Sequence, residues 1–352
     1  MQVLRFQPDA LRNLGEQIFA AVGAPDDISR IVATSLVAAN LAGHDSHGVL
    51  RIPQYVNQVR EKGLDPAARP RVLSARQATA LVSGELGFGQ PAGLLATDEA
   101  VRLAREYGVA AVGLVRINHL GRVGEYVEQA AAAGCAAMVW LGGLKAVAVP
   151  YGGSRRALGT NPLAFGVPVL GEDPAVLDFA TTAVAAGKIM AARAAKKPLP
   201  PGSIVDAHGQ PATDPEAFLN GGALLPFGGH KGYALAVLIE LLGQALTGAE
   251  QYGGDANDER RSGALFCAID TAAFRPAGET AAAARRVVDR LRSNPPAQGV
   301  ERVRTPGEPE AQARLARAAG IDLPEETWRS ITETAAAAGC SPRDLPEPVA
   351  VT

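Results

Sequence analysis

The sequence predicts a mixed α/β (α+β) protein in which helices come first and a sheet follows. Apolar residues recur at helical spacing over residues 28–41, which is typical of an amphipathic helix. From about Arg71 onward, short β-like runs alternate with helical stretches, the pattern of a sheet with packed helices. A Pro-containing linker over residues 65–70 separates the two patterns. We therefore expect a helical N-terminal section followed by a sheet section.

Each element has a local signal in the sequence. Asp26 or Asp27 can cap the first helix, and a second amphipathic helix is expected from Val49 to Glu61. Residues 197–222 are rich in Pro, Gly and Asp and predict a long functional loop. The remaining predictions are helices over 92–107, 121–133 and 231–246, and strands over 79–82, 109–115, 136–141, 163–167, 176–179 and 263–269.

Length and composition exclude several classes of protein. At roughly 150 residues per domain, 352 residues correspond to about two domains. The formal charge of −2 argues against nucleic-acid binding, which normally needs a basic excess, and the 47% of apolar residues argues against a disordered chain. The three cysteines form no CxxC pair, so no metal is expected. No signal peptide and no run of about twenty apolar residues stands out, which predicts a cytoplasmic protein without a membrane partner.

The segment HDSHG at residues 44–48 contains residue types that hydrolases and zinc sites use. Adjacent residues diverge in direction, so a convergent triad is not expected, and no further group with ligand spacing accompanies the histidine pair. His47 and Arg51 lie one helical turn apart and can face one pocket together with Ser46. A guanidinium there suits a substrate carboxylate. Exposed polar residues at a helix start are the alternative.

The segment NHLG at residues 118–121 follows a predicted strand and opens a predicted helix. A histidine at a helix N-terminus has a lowered tendency to carry charge and can transfer a proton near neutral pH. His119 is therefore a candidate acid/base, with a surface loop histidine as the alternative.

The segment GFGQPA at residues 87–92 satisfies the GxGxxA pattern between a strand and a helix. Pro91 removes an amide that a phosphate loop needs, and the next strand ends near Arg116 rather than at an acidic residue. A glycine turn that feeds a helix is the favoured interpretation.

The segment GGHKGY at residues 228–233 opens the apolar helix over 231–246. Free amides beside glycines form an anion site at a helix N-terminus, and Lys231 adds a cation. A nucleotide phosphate is one possible guest, and a simple N-terminal cap is the alternative. The segments LGTNP (158–162) and DFATT (178–182) carry small polar groups that bind ribose or nicotinamide in some proteins and that serve as turn residues in most.

Taken together, these segments resemble the malate/L-lactate/L-sulfolactate dehydrogenase family. The resemblance runs from about residue 10 to 335, and that family also includes ureidoglycolate dehydrogenases and piperideine-2-carboxylate reductases. It is carried by the ordered series HDSHGVLRIPQYV, GFGQPAG, NHLGRVGEYVEQAAAAGC, VPYGG, LGTNPLAFGVP, LDFATT, GGHKGYALAVLIELLGQALTGA and TPGEPE.

The resemblance implies a non-Rossmann sheet domain that binds NAD or NADP and packs with a helical domain. We expect the helical domain over residues 1–70, completed by C-terminal helices over 275–352, and the cofactor-binding and catalytic domain over 71–274. The resemblance also implies a homodimer with its active site near the subunit interface.

The resemblance implies a role for each matching residue. His119 corresponds to the acid/base, Ser46 and His47 line the catalytic pocket, Arg51 holds the substrate carboxylate, and Tyr55 contacts the substrate. Lys145 follows an apolar strand and is assigned to the catalytic group. The cofactor site is expected to contain Thr160, Asn161, Asp178, Thr181, Gly229, His230, Lys231 and Gly232.

The predicted reaction is hydride transfer between NAD(P) and the α-carbon of a small 2-oxo acid or 2-hydroxy acid. The alternative is NAD(P)H-dependent reduction of a cyclic imine 2-carboxylate. Two departures from the family pattern lie where we expect substrate choice to be set: the sequence LGGLK at residues 141–145 in place of a polar stretch, and Ile204 in place of an expected tryptophan.

Overall fold

The N-terminal section folds into helices joined to one short strand, in a computed structural model that describes residues 3–194, 196–253 and 261–349. The elements are β1 (Val3–Phe6), α1 (Pro8–Ala21), α2 (Asp26–Leu41) and α3 (Ile52–Arg60). Asp26 and Asp27 lie in the first turn of α2 rather than at its cap, because the helix begins directly after Pro25. The predicted helix over 49–61 begins with a separate 3-10 turn, Val49–Arg51, and Pro53 then occupies the first turn of α3, where a missing amide costs nothing.

A seven-stranded mixed sheet forms the centre of the molecule. Its elements with their helices are β2 (Arg71–Arg76), β3 (Thr79–Ser83), α4 (Gly89–Tyr107), β4 (Val109–Val115), α5 (Gly124–Ala132), β5 (Cys135–Gly142), β6 (Leu163–Val167) and β7 (Ala175–Phe179). The strand order is β2-β3-β4-β11-β5-β6-β7, with β11 at Gly263–Asp270. The β3–β4 pair is parallel and every other neighbouring pair is antiparallel, so the sheet is not a Rossmann sheet.

The helices α4 and α5 cover one face of this sheet and build its main apolar core. Tyr126 of α5 is fully buried and meets Phe266 of β11 edge to face, with ring centroids 5.6 Å apart. A Cβ on Gly93 of α4 would lie 2.4 Å from the Tyr126 ring, so the glycine gives this ring its space. Close packing of this kind fixes α5 and the segment that precedes it.

The segment predicted as a long loop over 197–222 is instead folded. After α6 (Ala186–Ala194) it forms β8 (Ile204–Val205), β9 (Pro211–Ala212), α7 (Pro215–Leu219) and β10 (Ala223–Leu224), in a three-stranded antiparallel sheet of order β10-β8-β9. The loop prediction was wrong because two-residue strands carry no alternating pattern. Ile204 is fully buried against Ile189 and Leu224, so it is a core residue of this small sheet.

The predicted helix over 231–246 is α8 (His230–Glu240), continued by one π-helical turn, Leu241–Ala245. The C-terminal section adds α9 (Glu279–Arg292), α10 (Glu308–Arg317), β12 (Ile321–Pro324) and α11 (Glu325–Ala337). In the described part of the chain, no helix is both long and apolar enough to cross a membrane.

The C-terminal elements pack in two places. β12 pairs with β1, and the ring of Trp328 of α11 packs against Phe6 in a tilted arrangement, with ring centroids 4.2 Å apart, at the core of the N-terminal helices. In contrast, α9 lies on the sheet side, where Arg292 binds Glu172 at 2.9 Å. The division into residues 1–70 with 275–352 and residues 71–274 stays a prediction, and α9 lies on the sheet side although it belongs to the first of these units. Residues 1–2, 195, 254–260 and 350–352 of these ranges lie outside the described residues.

Candidate active site

The HDSHG segment between α2 and α3 sends its side chains in two directions. His44 Nε2 lies 3.3 Å from Glu310 Oε1 of α10, and Asp45 accepts two bonds from Arg317 of the same helix, at 2.6 and 3.0 Å. Ser46 Oγ lies 2.9 Å from His47 Nδ1, and the His47 ring stacks on His119 with centroids 5.4 Å apart. The divergence expected from the sequence is therefore present, and the segment contributes Ser46 and His47 to a cleft that also holds His119.

His119 is fixed by the residues on both sides of it. Asn118 Nδ2 donates to the carbonyls of Leu86 at 2.8 Å and Gly87 at 3.1 Å, which anchors the segment. His119 Nδ1 lies 2.7 Å from Tyr55 Oη and receives the Gly121 amide at 3.3 Å. Because a backbone amide only donates, Nδ1 acts as an acceptor and the proton of the neutral ring is on Nε2. Nε2 is then the nitrogen available to a substrate.

Tyr55 is buried beneath His119, with 1% of its surface exposed. Its hydroxyl oxygen accepts a bond from Gln90 Nε2 at 2.9 Å as well as contacting His119. Burial raises the pKa of Tyr55 to about 12, so the side chain stays a neutral phenol. The sequence predicted a substrate contact for Tyr55, and the structure places its hydroxyl on His119 and Gln90.

Both histidines of the cleft are neutral at pH 7. Burial lowers the pKa of His47 to about 3, and the Arg51 charge adds to this effect. Burial and then Arg51 likewise hold the pKa of His119 well below its usual range. Arg51 is held by Nε donating to the Ser46 carbonyl at 2.7 Å and Nη1 donating to Gln54 Oε1 at 2.6 Å. A cation beside two neutral imidazoles favours an anionic ligand.

The predicted cofactor residues form a second group. Thr181 donates through both its amide and its Oγ1 to the Thr160 carbonyl at 2.9 Å, and its own carbonyl accepts the Phe227 amide at 3.0 Å. These bonds place the turn at Thr160 beside the glycines that begin α8. Gly228 and Gly229 have positive φ, 56° and 62°, which only glycine adopts readily. His230 and Lys231 follow at the exposed N-terminus of α8.

Asn161 ties this group to the middle of α8. Its Nδ2 donates to the Ala236 carbonyl and to Glu240 Oε2, each at 2.9 Å. Glu240 Oε2 also accepts the Gly143 amide at 3.0 Å, so one carboxylate joins α8, the Asn161 turn and the end of β5. Glu240 was missed from the sequence, although a single carboxylate within the apolar run LAVLIELLG was a usable signal.

Two predicted residues lie apart from these groups. Asp178 Oδ2 accepts the Gly124 amide at 2.7 Å, which caps α5, and it lies near Arg122, a buried cation paired with Glu128. Lys145 is exposed on the segment after β5, and no hydrogen bond joins it to His47 or His119. Gly187 of α6 lies against Ser46, because a Cβ there would lie 3.1 Å from Ser46 Cβ.

The comparison with known proteins decides the family. Residues 6–332 match the sequence profile described as malate/L-lactate dehydrogenase. The chain belongs to the malate/L-lactate dehydrogenase family. Within it, the chain is 36% identical to an L-lactate dehydrogenase of Cupriavidus necator, over 92% of this chain and 95% of that one. It is 40% identical to a Δ1-pyrroline-2-carboxylate/Δ1-piperideine-2-carboxylate reductase of Pseudomonas putida, over 70% of this chain and 72% of that one.

The solved structures agree with this membership. The sulfolactate dehydrogenase of Methanocaldococcus jannaschii superposes with a TM-score of 0.88 at 33% identity, covering 97% of this chain and 99% of that one. The family resemblance and the mixed, non-Rossmann fold predicted from the sequence are thus confirmed. The relatives of this malate/L-lactate dehydrogenase family member are dehydrogenases of hydroxy acids and reductases of cyclic imines.

Proposed function

We propose that this protein is an NAD(P)-dependent oxidoreductase that interconverts a small 2-oxo acid and the corresponding 2-hydroxy acid. One observation carries the proposal: a neutral histidine, His119, is held through Nδ1 by Tyr55 in the same cleft as the Arg51 guanidinium. One group is thereby able to move a proton and the other to hold a carboxylate. Those are the two tasks that hydride-transfer chemistry leaves to the protein.

The proposed mechanism assigns each task to a side chain. Arg51 binds the substrate carboxylate with forked donors, and Ser46 and His47 line the pocket beside it. When bound, the nicotinamide supplies the hydride to the α-carbon or accepts it from there. In reduction, Nε2 of doubly protonated His119 gives its proton to the carbonyl oxygen, which leaves the neutral ring with its proton on Nδ1; in oxidation, this Nδ1–H tautomer takes the hydroxyl proton at Nε2. Carboxylate binding offsets the Arg51 charge, which raises the pKa of His119 when the acid is needed.

The second group of residues fits a dinucleotide. The first turn of α8 follows two glycines with positive φ and carries Lys231, a combination that suits phosphate oxygens. Asn161 Oδ1 is buried and has no hydrogen-bond partner among the described residues, so an acceptor is available beside Thr160. We assign the cofactor site to Thr160, Asn161, Asp178, Thr181, Gly229, His230, Lys231 and Gly232, with Asp178 acting by fixing α5. Lys145 stays a predicted member of the catalytic group.

Reduction of a cyclic imine 2-carboxylate is the second candidate. The 40% identity to a pyrroline/piperideine-2-carboxylate reductase favours it. The Arg51 clamp serves either substrate, because both place a carboxylate next to the carbon that receives the hydride. The proton demand differs, because an imine is reduced in its protonated form.

A substrate panel tests the proposal. NADH and NADPH consumption is followed with pyruvate, oxaloacetate, sulfopyruvate and the two cyclic imines, for the wild type and for His119→Gln. We expect turnover of at least one oxo acid, a loss of at least ~100-fold in His119→Gln, and cofactor affinity that stays within a few-fold. Turnover of imines alone selects the second candidate. Near-normal turnover by His119→Gln contradicts the assignment of the acid/base.

We further propose a homodimer located in the cytoplasm, with a small carboxylate as its substrate. The dimer is supported by an exposed apolar surface along the end of α8 and the turns that follow it, defined by Leu238 of α8, Leu241 of the π-helical turn and Leu246 directly after it, which are 54%, 52% and 65% exposed. A helix that is apolar on its outer face as well as its inner one is normally covered on both.

A further inference from the structure

The GFGQ segment at residues 87–90 packs directly against the backbone of Asn118 and His119. A Cβ on Gly89 would lie 2.3 Å from the His119 carbonyl oxygen and 2.7 Å from that of Asn118, so only glycine fits there. The carbonyls of Leu86 and Gly87 in turn hold Asn118. The sequence alone predicts a glycine turn for this motif and no function. In the structure, the motif positions the segment that carries His119, the proposed acid/base.

Gln90 extends from this turn into the protein beneath the cleft. It is fully buried, its Nε2 donates to Tyr55 Oη at 2.9 Å, and its Oε1 is buried with no partner among the described residues. A buried carbonyl without a partner costs free energy, so such an atom needs an explanation. A 180° rotation of the Gln90 amide group would place Oε1 instead of Nε2 next to Tyr55 Oη.

We propose that Gln90 is a positioning residue that matches the Tyr55 hydroxyl to both protonation states of His119. With the proton on Nε2 alone, Gln90 Nε2 donates to Tyr55 Oη, and the Tyr55 hydroxyl donates to His119 Nδ1. With a proton on Nδ1, the direction reverses: Nδ1 donates to Tyr55 Oη, and the hydroxyl donates to Gln90 Oε1. The phenol keeps its proton in both states, and no covalent bond changes at Tyr55 or Gln90.

The reversal is needed because His119 changes its protonation once per turnover. Protonated His119 has a hydrogen on each nitrogen, and after giving up the Nε2 proton it keeps the one on Nδ1. Tyr55 is then obliged to accept from Nδ1, and its own hydrogen needs an acceptor. Gln90 Oε1 is the nearby buried acceptor that has no other bond among the described residues. This inference rests on the proposed function, in which His119 is the acid/base.

Other charges also act on this chain of side chains. Arg51 and His47 face His119, Arg51 and Glu125 act on Tyr55, and Tyr126 lies close to Tyr55 beside Glu125. The Gly121 amide, which donates to His119 Nδ1 at 3.3 Å, also acts on this ring and favours the state without a proton on Nδ1. These groups are unchanged when Gln90 is replaced, so a change in the titration of His119 in a variant that adds no charge at residue 90 is assigned to loss of the amide.

Two variants with opposite expected signs test the proposal. Gln90→Glu supplies an acceptor only, which favours a proton on Nδ1, whereas Gln90→Met supplies no acceptor for the Tyr55 hydroxyl. The quantity measured is the apparent pKa above which kcat for reduction falls. We expect this apparent pKa to rise by about one unit in Gln90→Glu and to fall by about one unit in Gln90→Met. In Gln90→Met, turnover at pH 7 is expected to be about tenfold lower. KM for the oxo acid is expected to change less than threefold.

A spectroscopic readout is independent of activity. The 15N shifts of the His119 imidazole, assigned with His119→Gln, report which nitrogen carries the proton. We expect Nε2–H in the wild type and in Gln90→Met, and increased Nδ1–H in Gln90→Glu. In a Tyr55→Phe background, both Gln90 variants are expected to lose their effect, because the hydroxyl is the link.

Thr97→Val is the matched control. It removes a buried polar group from the same helix, seven residues along α4 from Gln90, where Oγ1 donates to the Gly93 carbonyl at 2.9 Å. A loss of turnover with unchanged pH limbs and unchanged 15N shifts in both Gln90 variants would reduce Gln90 to a packing residue and overturn the proposal. If these variants do not fold, Tyr55→Phe tests the same link, with an expected change in the Nδ1 shift. Absence of turnover in the wild type contradicts the proposed function instead, and the 15N measurement still tests Gln90.

Discussion

Arg51 has two effects in the cleft, because one guanidinium both attracts an anion and keeps the neighbouring histidines neutral. His47 and His119 each have a pKa lowered by burial and by this charge. Under the proposed function, a substrate carboxylate bound to Arg51 offsets part of this charge and raises the pKa of His119. The pKa of His119 therefore depends on whether an anion is bound beside Arg51.

Replacing Arg51 tests this role. We expect Arg51→Met to raise KM for the oxo acid at least ~30-fold, since a charge-assisted bond contributes roughly 1.5–3 kcal/mol. Arg51→Lys keeps the charge but not the fork, and a smaller rise is expected. Gln54→Leu, which removes the partner of Arg51 Nη1, is the control with the clamp retained. Steady-state kinetics over substrate concentration measures the effect, and an unchanged KM in Arg51→Met removes Arg51 from the carboxylate role.

The lowered pKa of His47 makes the free energy of unfolding depend on pH. Its pKa is about 3 in the folded protein and near 6.5 when unfolded, so below pH 6.5 the unfolded state binds the additional proton. Stability from this residue is fully present above pH 6.5 and is lost as the pH falls toward 3. Between pH 6 and pH 5 we expect the free energy of unfolding to fall by about 1 kcal/mol more in the wild type than in His47→Gln. Urea unfolding at a fixed protein concentration measures this, and equal slopes would contradict it.

The elements differ in how well the sequence predicts them. The strands β4 and β6 match their predicted bounds, because each is an apolar run ended by Arg, Gly or Pro. The β1–β12 pair joins residues more than three hundred positions apart, and no local pattern announces such a pairing. The π-helical turn after α8 is equally invisible, because its residues read as ordinary helix.

The same distinction holds within the candidate site. Ser46, His47 and Arg51 are predictable as neighbours because they lie within six residues of chain, although the structure divides them between two 3-10 turns, Asp45–His47 and Val49–Arg51. The structure adds the stacking of His47 on His119. The contact of Gln90 with Tyr55 crosses 35 positions and depends on how α4 meets α3. Side chains that act through another residue are hidden from motif analysis, since their neighbours are set by packing.

The first turn of α8 packs closely against the preceding segment because Gly232 has no side chain. A Cβ on Gly232 would lie 2.0 Å from the Phe227 carbonyl oxygen, closer than any real contact allows. Gly232→Ala is therefore expected to displace this turn and to weaken NAD(P)H binding at least tenfold. The reason is that the N-terminal amides of the displaced helix no longer point toward the cofactor phosphates. Ala234→Ser, on the exposed side of the same helix, is the control. Fluorescence titration with NADH and NADPH measures the effect, and a lowered Tm with unchanged affinity would contradict it.

At the scale of the whole molecule, the proposed catalytic residues lie at a boundary between two cores. Their group is found where the N-terminal helices meet the sheet, because Tyr55 belongs to the helical core and His119 follows β4. Gly187 against Ser46 brings the segment after β7 to the same place. Separating residues 1–70 from the sheet would remove Ser46, His47, Arg51 and Tyr55 together.

The outer face of α8 makes oligomerisation testable. The inner side of α8 is buried through Ala236 and Ile239, while Leu238, Leu241 of the π-helical turn and Leu246 directly after it are more than half exposed, so this segment is apolar on both sides. We expect the wild type to sediment as a dimer and Leu238→Asp/Leu241→Asp to sediment as a monomer, because two buried carboxylates per protomer would be desolvated without partners. Leu315→Asp, at an 81% exposed leucine of α10, is the matched control and is expected to stay dimeric. A dimer that survives the double substitution would place the interface elsewhere.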